Sequence, residues 1–136
     1  MGEEKIAQFK PKILLVDDEA EARVGLAHAL RGRGYEVVEV GTGQEALSRA
    51  KGEWPTLIIL DIVLPDIPGT QVFERLRADP VTKAIPVLLL TAKPDVLDQA
   101  GTQLPSLREK TDRFFEKPGR VDDLLTTVHD MLAGKK

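Results

Sequence analysis

With 136 residues and a formal net charge of −3, the chain suits one domain with its own core, and it has no basic run with which to grip nucleic acid. It contains no cysteine, which excludes a disulfide framework and a thiolate metal site. The charged start, Met1-Gly2-Glu3-Glu4-Lys5, lacks the apolar stretch of a signal peptide, and no apolar run is long enough to span a membrane, so a cytoplasmic location is expected.

Residues 1–11 are polar, end at Pro11 and read as a leader. Ile13-Leu14-Leu15-Val16 reads as a buried strand that runs straight into Asp17-Asp18-Glu19. Residues 20–33, rich in Ala, Leu and Arg, read as a helix stopping near Gly32 and Gly34. The β-branched run 35–40 is less uniformly apolar and suits an edge strand. Thr42 with Glu45 makes a capping-box pattern, opening a helix that buries Ala46, Leu47 and Ala50.

Leu57-Ile58-Ile59-Leu60 is apolar on both faces, as a central strand of a parallel sheet must be, and delivers Asp61 at its end. Gly69 precedes a helix with Val72, Phe73 and Leu76 on one face, which ends at Asp79-Pro80. Residues 86–91 form a fourth apolar strand ending in Thr91. In the segment 95–111, Gly101 and Pro105 interrupt any single long helix. Arg113-Phe114-Phe115-Glu116 reads as a short fifth strand running into Lys117-Pro118. Val121, Leu124, Leu125, Val128 and Leu132 then mark the apolar stripe of a last helix, and 134–136 form a tail.

Strands alternating with helical segments imply a three-layer, doubly wound (βα)5 fold, with a five-stranded parallel sheet in the flavodoxin-like order 2-1-3-4-5. That order gathers Asp17, Asp18, Asp61, Thr91 and Lys117 around one crevice at the C-terminal ends of the strands. Crowded carboxylates repel, and a hard divalent cation such as Mg²⁺ relieves the repulsion. An aspartate can also attack phosphorus, and Mg²⁺, a lysine ammonium and a threonine hydroxyl could each take one oxygen of the transferring group. Each residue has a plainer role open to it. Asp18 or Glu19 could cap the following helix, the preferred reading for Glu19, while Thr91 could be a strand residue and Lys117 a surface lysine. His28 and His129 read as surface residues. The plain readings leave the coincidence of all the strand-end residues unexplained.

Over essentially residues 12–133 the chain resembles the receiver domain of two-component response regulators. Asp17-Asp18 is similar to the family's acidic pair and Asp61 to its phospho-accepting aspartate. Leu64-Pro65 and Gly69 stand where its apolar-Pro and following Gly fall, and Thr91-Ala92 resembles its switch residue with a small neighbour. Lys117-Pro118 resembles its lysine and proline, which implies a cis peptide between the two. The resemblance implies that Asp61 takes a phosphoryl group from a sensor histidine kinase, a phosphotransfer protein or a small phosphodonor. It further implies that Asp17, Asp18, Asp61 and the backbone carbonyl of Val63 hold Mg²⁺. Thr91 would swing toward the phosphate and Phe114 would turn inward behind it. The output partner or domain would meet the face of the fourth and fifth strands and their helices, with no direct nucleic-acid or membrane contact, and a homodimer is compatible with this. Val63 and Lys93 would flank the approach of water to the phosphate.

The chain departs from the family pattern in three places. It is a few residues longer than usual between Thr91 and Lys117, Lys110-Thr111-Asp112 replaces Gly-Ala before the fifth strand, and Phe114 replaces the commoner Tyr. A phosphohydrolase of the haloacid dehalogenase type would instead need an acid/base aspartate two residues after its nucleophile, where this chain has Val63. A receiver that never takes phosphate and serves as a scaffold is a further alternative, and retention of Asp61, Thr91 and Lys117 together speaks against it. No Gly-x-Gly-x-x-Gly follows the first strand, which excludes a dinucleotide site.

Overall fold

A computed structural model describes residues 10–92, 106–108, 111–117 and 119–134. Its strands are β1 (Lys12–Val16), β2 (Glu36–Val40), β3 (Leu57–Asp61), β4 (Val87–Thr91) and β5 (Arg113–Glu116). They form one parallel sheet in the order β2-β1-β3-β4-β5, as the apolar runs predict. Among the described residues the helices are α1 (Ala20–Gly32), α2 (Gly43–Glu53), α3 (Gly69–Ala78) and α4 (Val121–Leu132). Residues 1–9, most of the interrupted segment 95–111, Lys93, the Lys117-Pro118 peptide and residues 135–136 lie outside the described residues.

Alternation along the strands builds a core on each side of the sheet. Leu14, Val16, Ile58, Leu60, Val87 and Leu89 face α2 and α3, where Ala46, Ala50, Val72, Phe73 and Leu76 meet them. Ile13, Leu15, Leu57, Ile59, Leu88 and Leu90 face α1 and α4, against Ala27, Leu30, Leu124, Leu125 and Val128. All of β3 and β4 is buried, so these strands are central and their ends are held rigidly. No described helix is long and apolar enough to cross a membrane.

Two details differ from expectation. Glu19 occupies the N-cap position of α1, but its side chain makes no capping bond. Instead Asp17 Oδ1 accepts the Glu19 N–H at 3.0 Å, a shorter side chain closing a local turn that the extra methylene of glutamate fits less well. Val121, expected on the buried stripe of α4, is 48% exposed because it opens the helix before the stripe has reached the sheet.

A buried ion pair joins α3 to the start of β5. Arg77 lies one turn beyond Phe73 on the inner face of α3, and its guanidinium stacks 5.0 Å from that ring. It donates to the Lys83 and Ile85 carbonyls at 3.1 and 2.7 Å and pairs with the buried Asp112 carboxylate. Asp112 also accepts the Val87 N–H at 2.9 Å and the Arg108 N–H at 3.0 Å. The residue that replaces the family's Gly-Ala thus ties the approach to β5 onto α3 and β4.

Close backbone approach explains two glycines. A Cβ on Gly69 would lie 2.3 Å from the Asp61 carbonyl oxygen, and one on Gly43 would lie 2.5 Å from Ile67 Cγ1. Glycine at these positions lets the segment after β3 fold back against both α2 and α3. At the other end of β3, α2 stops at Trp54, which is left-handed (φ 55°, ψ 55°) and 76% exposed.

Candidate functional site

The sheet register brings the acidic residues together. Val16 pairs with Leu60, so the next residue on each strand, Asp17 just after β1 and Asp61 as the last residue of β3, stands at one level. Both are buried, at 3% and 5% exposure, whereas Asp18 is exposed. Carboxylate oxygens of all three lie within 4.8 Å of one another. Lys117 follows β5, and its backbone N–H donates to the Thr91 carbonyl at 2.8 Å. That anchor sends its ammonium back over the site, 2.7 Å from Asp61 Oδ2 and 3.7 Å from Asp17 Oδ2.

The electrostatics follow from this geometry. Burial on its own would lower the Lys117 pKa, but the hydrogen bond to Asp61 and the charges of Asp61, Asp17 and Glu19 outweigh it. The pKa is raised above the ordinary lysine value, so Lys117 is a firmly held cation. The second Asp61 oxygen, Oδ1, accepts the Val63 N–H at 2.9 Å. A cleft of about 350 Å³ opens above, lined by Asp18, Glu19, Asp61, Val63, Thr91 and Lys117.

The donor set is all oxygen, two buried carboxylates and one exposed and free to adjust, which fits Mg²⁺ better than a softer metal. The backbone of Val63 sits beside the same carboxylate through its amide. Thr91 is buried at the end of β4, one residue beyond Leu90, the partner of Asp61 in the sheet. Phe114 pairs with Leu89 and packs against the core on the α2 and α3 side. Thr91, two residues past Leu89, leaves β4 toward that same side, so the hydroxyl-bearing and aromatic residues share a face.

A residue not singled out from the sequence also bears on the site. Asp66, in the segment 62–68 after β3, accepts the Gly43 N–H on Oδ1 at 2.8 Å and the Gln44 N–H on Oδ2 at 2.9 Å. These bonds, Gly43 first, hold its pKa below the ordinary aspartate value. They favour the fold above the ordinary carboxylate range and are lost as pH falls through the lowered pKa.

Residues 13–129 match the family described as response regulator receiver domain. The chain belongs to that family. It is 33% identical over 124 residues to the DNA-binding response regulator MtrA of Mycolicibacterium paratuberculosis, a match covering 91% of this chain and 52% of that protein. This receiver thus spans about half the length of the curated relatives it matches. The chemotaxis response regulator CheY4 of Vibrio cholerae superposes with a TM-score of 0.78 at 28% identity, over 90% of this receiver and 99% of that chain. The receiver domain of sensor histidine kinase PA1611 from Pseudomonas aeruginosa has the same fold at 24% identity and a TM-score of 0.78, over 92% and 99% of the two chains. Its crystal structure carries a magnesium ion coordinated in the active-site cleft. The receiver is accordingly a signalling domain of two-component systems and not a haloacid dehalogenase-type hydrolase.

Proposed function

We propose that this receiver accepts a phosphoryl group on Asp61 from the phosphohistidine of a sensor kinase or phosphotransfer protein, or from a small acyl phosphate. The observation that carries the reading is the buried Asp61 carboxylate held 2.7 Å from the Lys117 ammonium and beside two further carboxylates. In the transfer, an Asp61 oxygen forms a bond to phosphorus as the P–N bond of the donor imidazole breaks, and the imidazole nitrogen keeps the electron pair. Lys117 would then hold an oxygen of the transferred group, with its own ion pair to Asp61 giving way to that contact. Asp17, Asp18, Asp61 and the Val63 carbonyl would hold Mg²⁺, which supplies charge neutralisation at the phosphoryl oxygens when bound.

Switching follows from the shared face of Thr91 and Phe114. A phosphate on Asp61 gives the Thr91 hydroxyl a charged acceptor, and the space it leaves can take Phe114. The output partner or output domain would read that change on the β4–β5 side. The donor would approach from the other side, where a mostly apolar cleft between α1 and α4 opens beside Asp17 and Lys117.

Magnesium titration tests the metal site directly. Asp17→Ala or Asp18→Ala should weaken Mg²⁺ binding by about tenfold or more, with the far-ultraviolet circular dichroism unchanged. Calorimetry giving wild-type affinity in both variants would remove these residues from the site. A second expectation concerns the lifetime of the phosphoprotein. Val63 stands at the cleft with a side chain that has no atom to orient water, so the acyl phosphate should decay slowly. Val63→Asn supplies a water-orienting amide and should speed the loss of labelled phosphate, up to roughly a hundredfold. Decay at the wild-type rate or slower would show that Val63 does not govern the approach of water.

A further inference from the structure

We infer that Asp66 is a positioning residue for the Asp61 site, acting through the segment 62–68; the inference rests on the reading of Asp61 as phosphoacceptor. The segment leaves the buried end of β3 and keeps the Val63 amide on Asp61 Oδ1, and in the proposed metal site it would also present the Val63 carbonyl. Its base is fastened by the Ile62 N–H to the Leu90 carbonyl at 3.0 Å and by the Gly69 N–H to the Ile62 carbonyl at 2.7 Å. Neither bond controls residues 63–66, and Val63 itself is 73% exposed. Out there, Asp66 spreads its two carboxylate oxygens over the Gly43 and Gln44 amides at the start of α2.

A plainer role for Asp66 is to cap α2, but that helix already has its own cap. Thr42 Oγ1 accepts the Glu45 N–H at 3.1 Å, and the Thr42 hydroxyl donates to Glu45 Oε1 at 3.1 Å. Asp66 takes the two earlier amides, which a local cap leaves over, and uses them as a fixed anchor. Ile67 reinforces the anchor, since it lies where a Cβ on Gly43 would fall. Only Leu64 and Pro65 separate Val63 from Asp66, and Pro65 has a fixed φ and restricts the residue before it, so little backbone freedom lies between the two. Releasing the carboxylate therefore lets the segment lift, and the Val63 amide and carbonyl leave the site together.

The experiment compares wild type, Asp66→Asn and Asp66→Ala in the full chain. Without metal, the hydrogen exchange of the Val63 amide should quicken about tenfold in Asp66→Ala, while the amides of β1 keep their protection. Calorimetric titration with Mg²⁺ should show affinity falling about tenfold in Asp66→Ala, with Asp66→Asn between the two because it keeps one acceptor oxygen. A lower melting temperature with unchanged Val63 exchange and unchanged Mg²⁺ affinity would reduce Asp66 to a helix cap and overturn the inference. If Asp66→Ala does not fold, the near-isosteric Asp66→Asn decides the matter by the same two measurements. If wild type binds no Mg²⁺ and takes no phosphate from acetyl phosphate, the proposed function fails, whereas Val63 exchange still tests the positioning of the segment.

Discussion

Asp61→Asn should take up no phosphate under conditions in which the wild-type receiver, with Mg²⁺ and acetyl phosphate, should gain one phosphate that is lost in alkali. The substitution is nearly isosteric, and its amide oxygen can still accept the Val63 N–H that Asp61 Oδ1 accepts now. What it removes is the anionic oxygen that, in the proposed transfer, would form the bond to phosphorus, and the neighbouring carboxylates are differently engaged. Asp17 is spoken for by the Glu19 N–H and by Lys117 at 3.7 Å, and Asp18 is exposed at the rim. Loss of the label to background, with folding intact by circular dichroism, is the expected pairing. Equal labelling of the variant would sink the assignment of Asp61 and the function built on it.

The largest effect on stability should come from Asp112, far from any chemistry. Asp112→Ala would strand the Arg77 guanidinium, whose side chain is only 2% exposed, and would leave the Val87 and Arg108 amides without the acceptor they use. Removing one partner of a buried ion pair costs about 3–5 kcal/mol, a large share of the stability of a domain this size. Arg77→Met combined with Asp112→Ala removes the stranded charge, and the double variant should be more stable than the sum of the single changes predicts. Urea unfolding of the four proteins, followed by far-ultraviolet circular dichroism, measures the cycle. A loss below about 1 kcal/mol in Asp112→Ala would mean that water or another acceptor reaches Arg77.

Much of the fold is legible in the sequence because the strands of a doubly wound sheet are covered on both sides. Runs such as Leu57-Ile58-Ile59-Leu60 admit few other readings, and the residue after each run is then placed at one end of the sheet. The convergence of Asp17, Asp61, Thr91 and Lys117 follows from topology alone. Other features were hidden for identifiable reasons. Arg77 and Asp112 lie 35 positions apart in sequence, and neither belongs to a local pattern; only packing makes them partners. The available hint was an arginine one residue after Leu76, on a stripe that is otherwise apolar. Asp66 was hidden because its partners are backbone amides 22 and 23 residues away, and amides carry no sequence signature. At Glu19 cap position and cap bond are separate things: Glu19 holds the first, while Asp17 supplies the local hydrogen bond.

The chain has one tryptophan, and its place at the end of α2 decides what light can report about this protein. Trp54 precedes β3 while Asp61 ends it, so the strand length, on the order of 15 Å, separates the indole from the acidic cluster. With 76% of its surface in solvent, Trp54 is already largely hydrated in the folded chain. Intrinsic fluorescence should therefore change little on Mg²⁺ binding, on phosphorylation or even on denaturation. A tryptophan placed beside the cleft, with Trp54 replaced by glycine to suit the left-handed backbone, would give the receiver an optical signal at its working end.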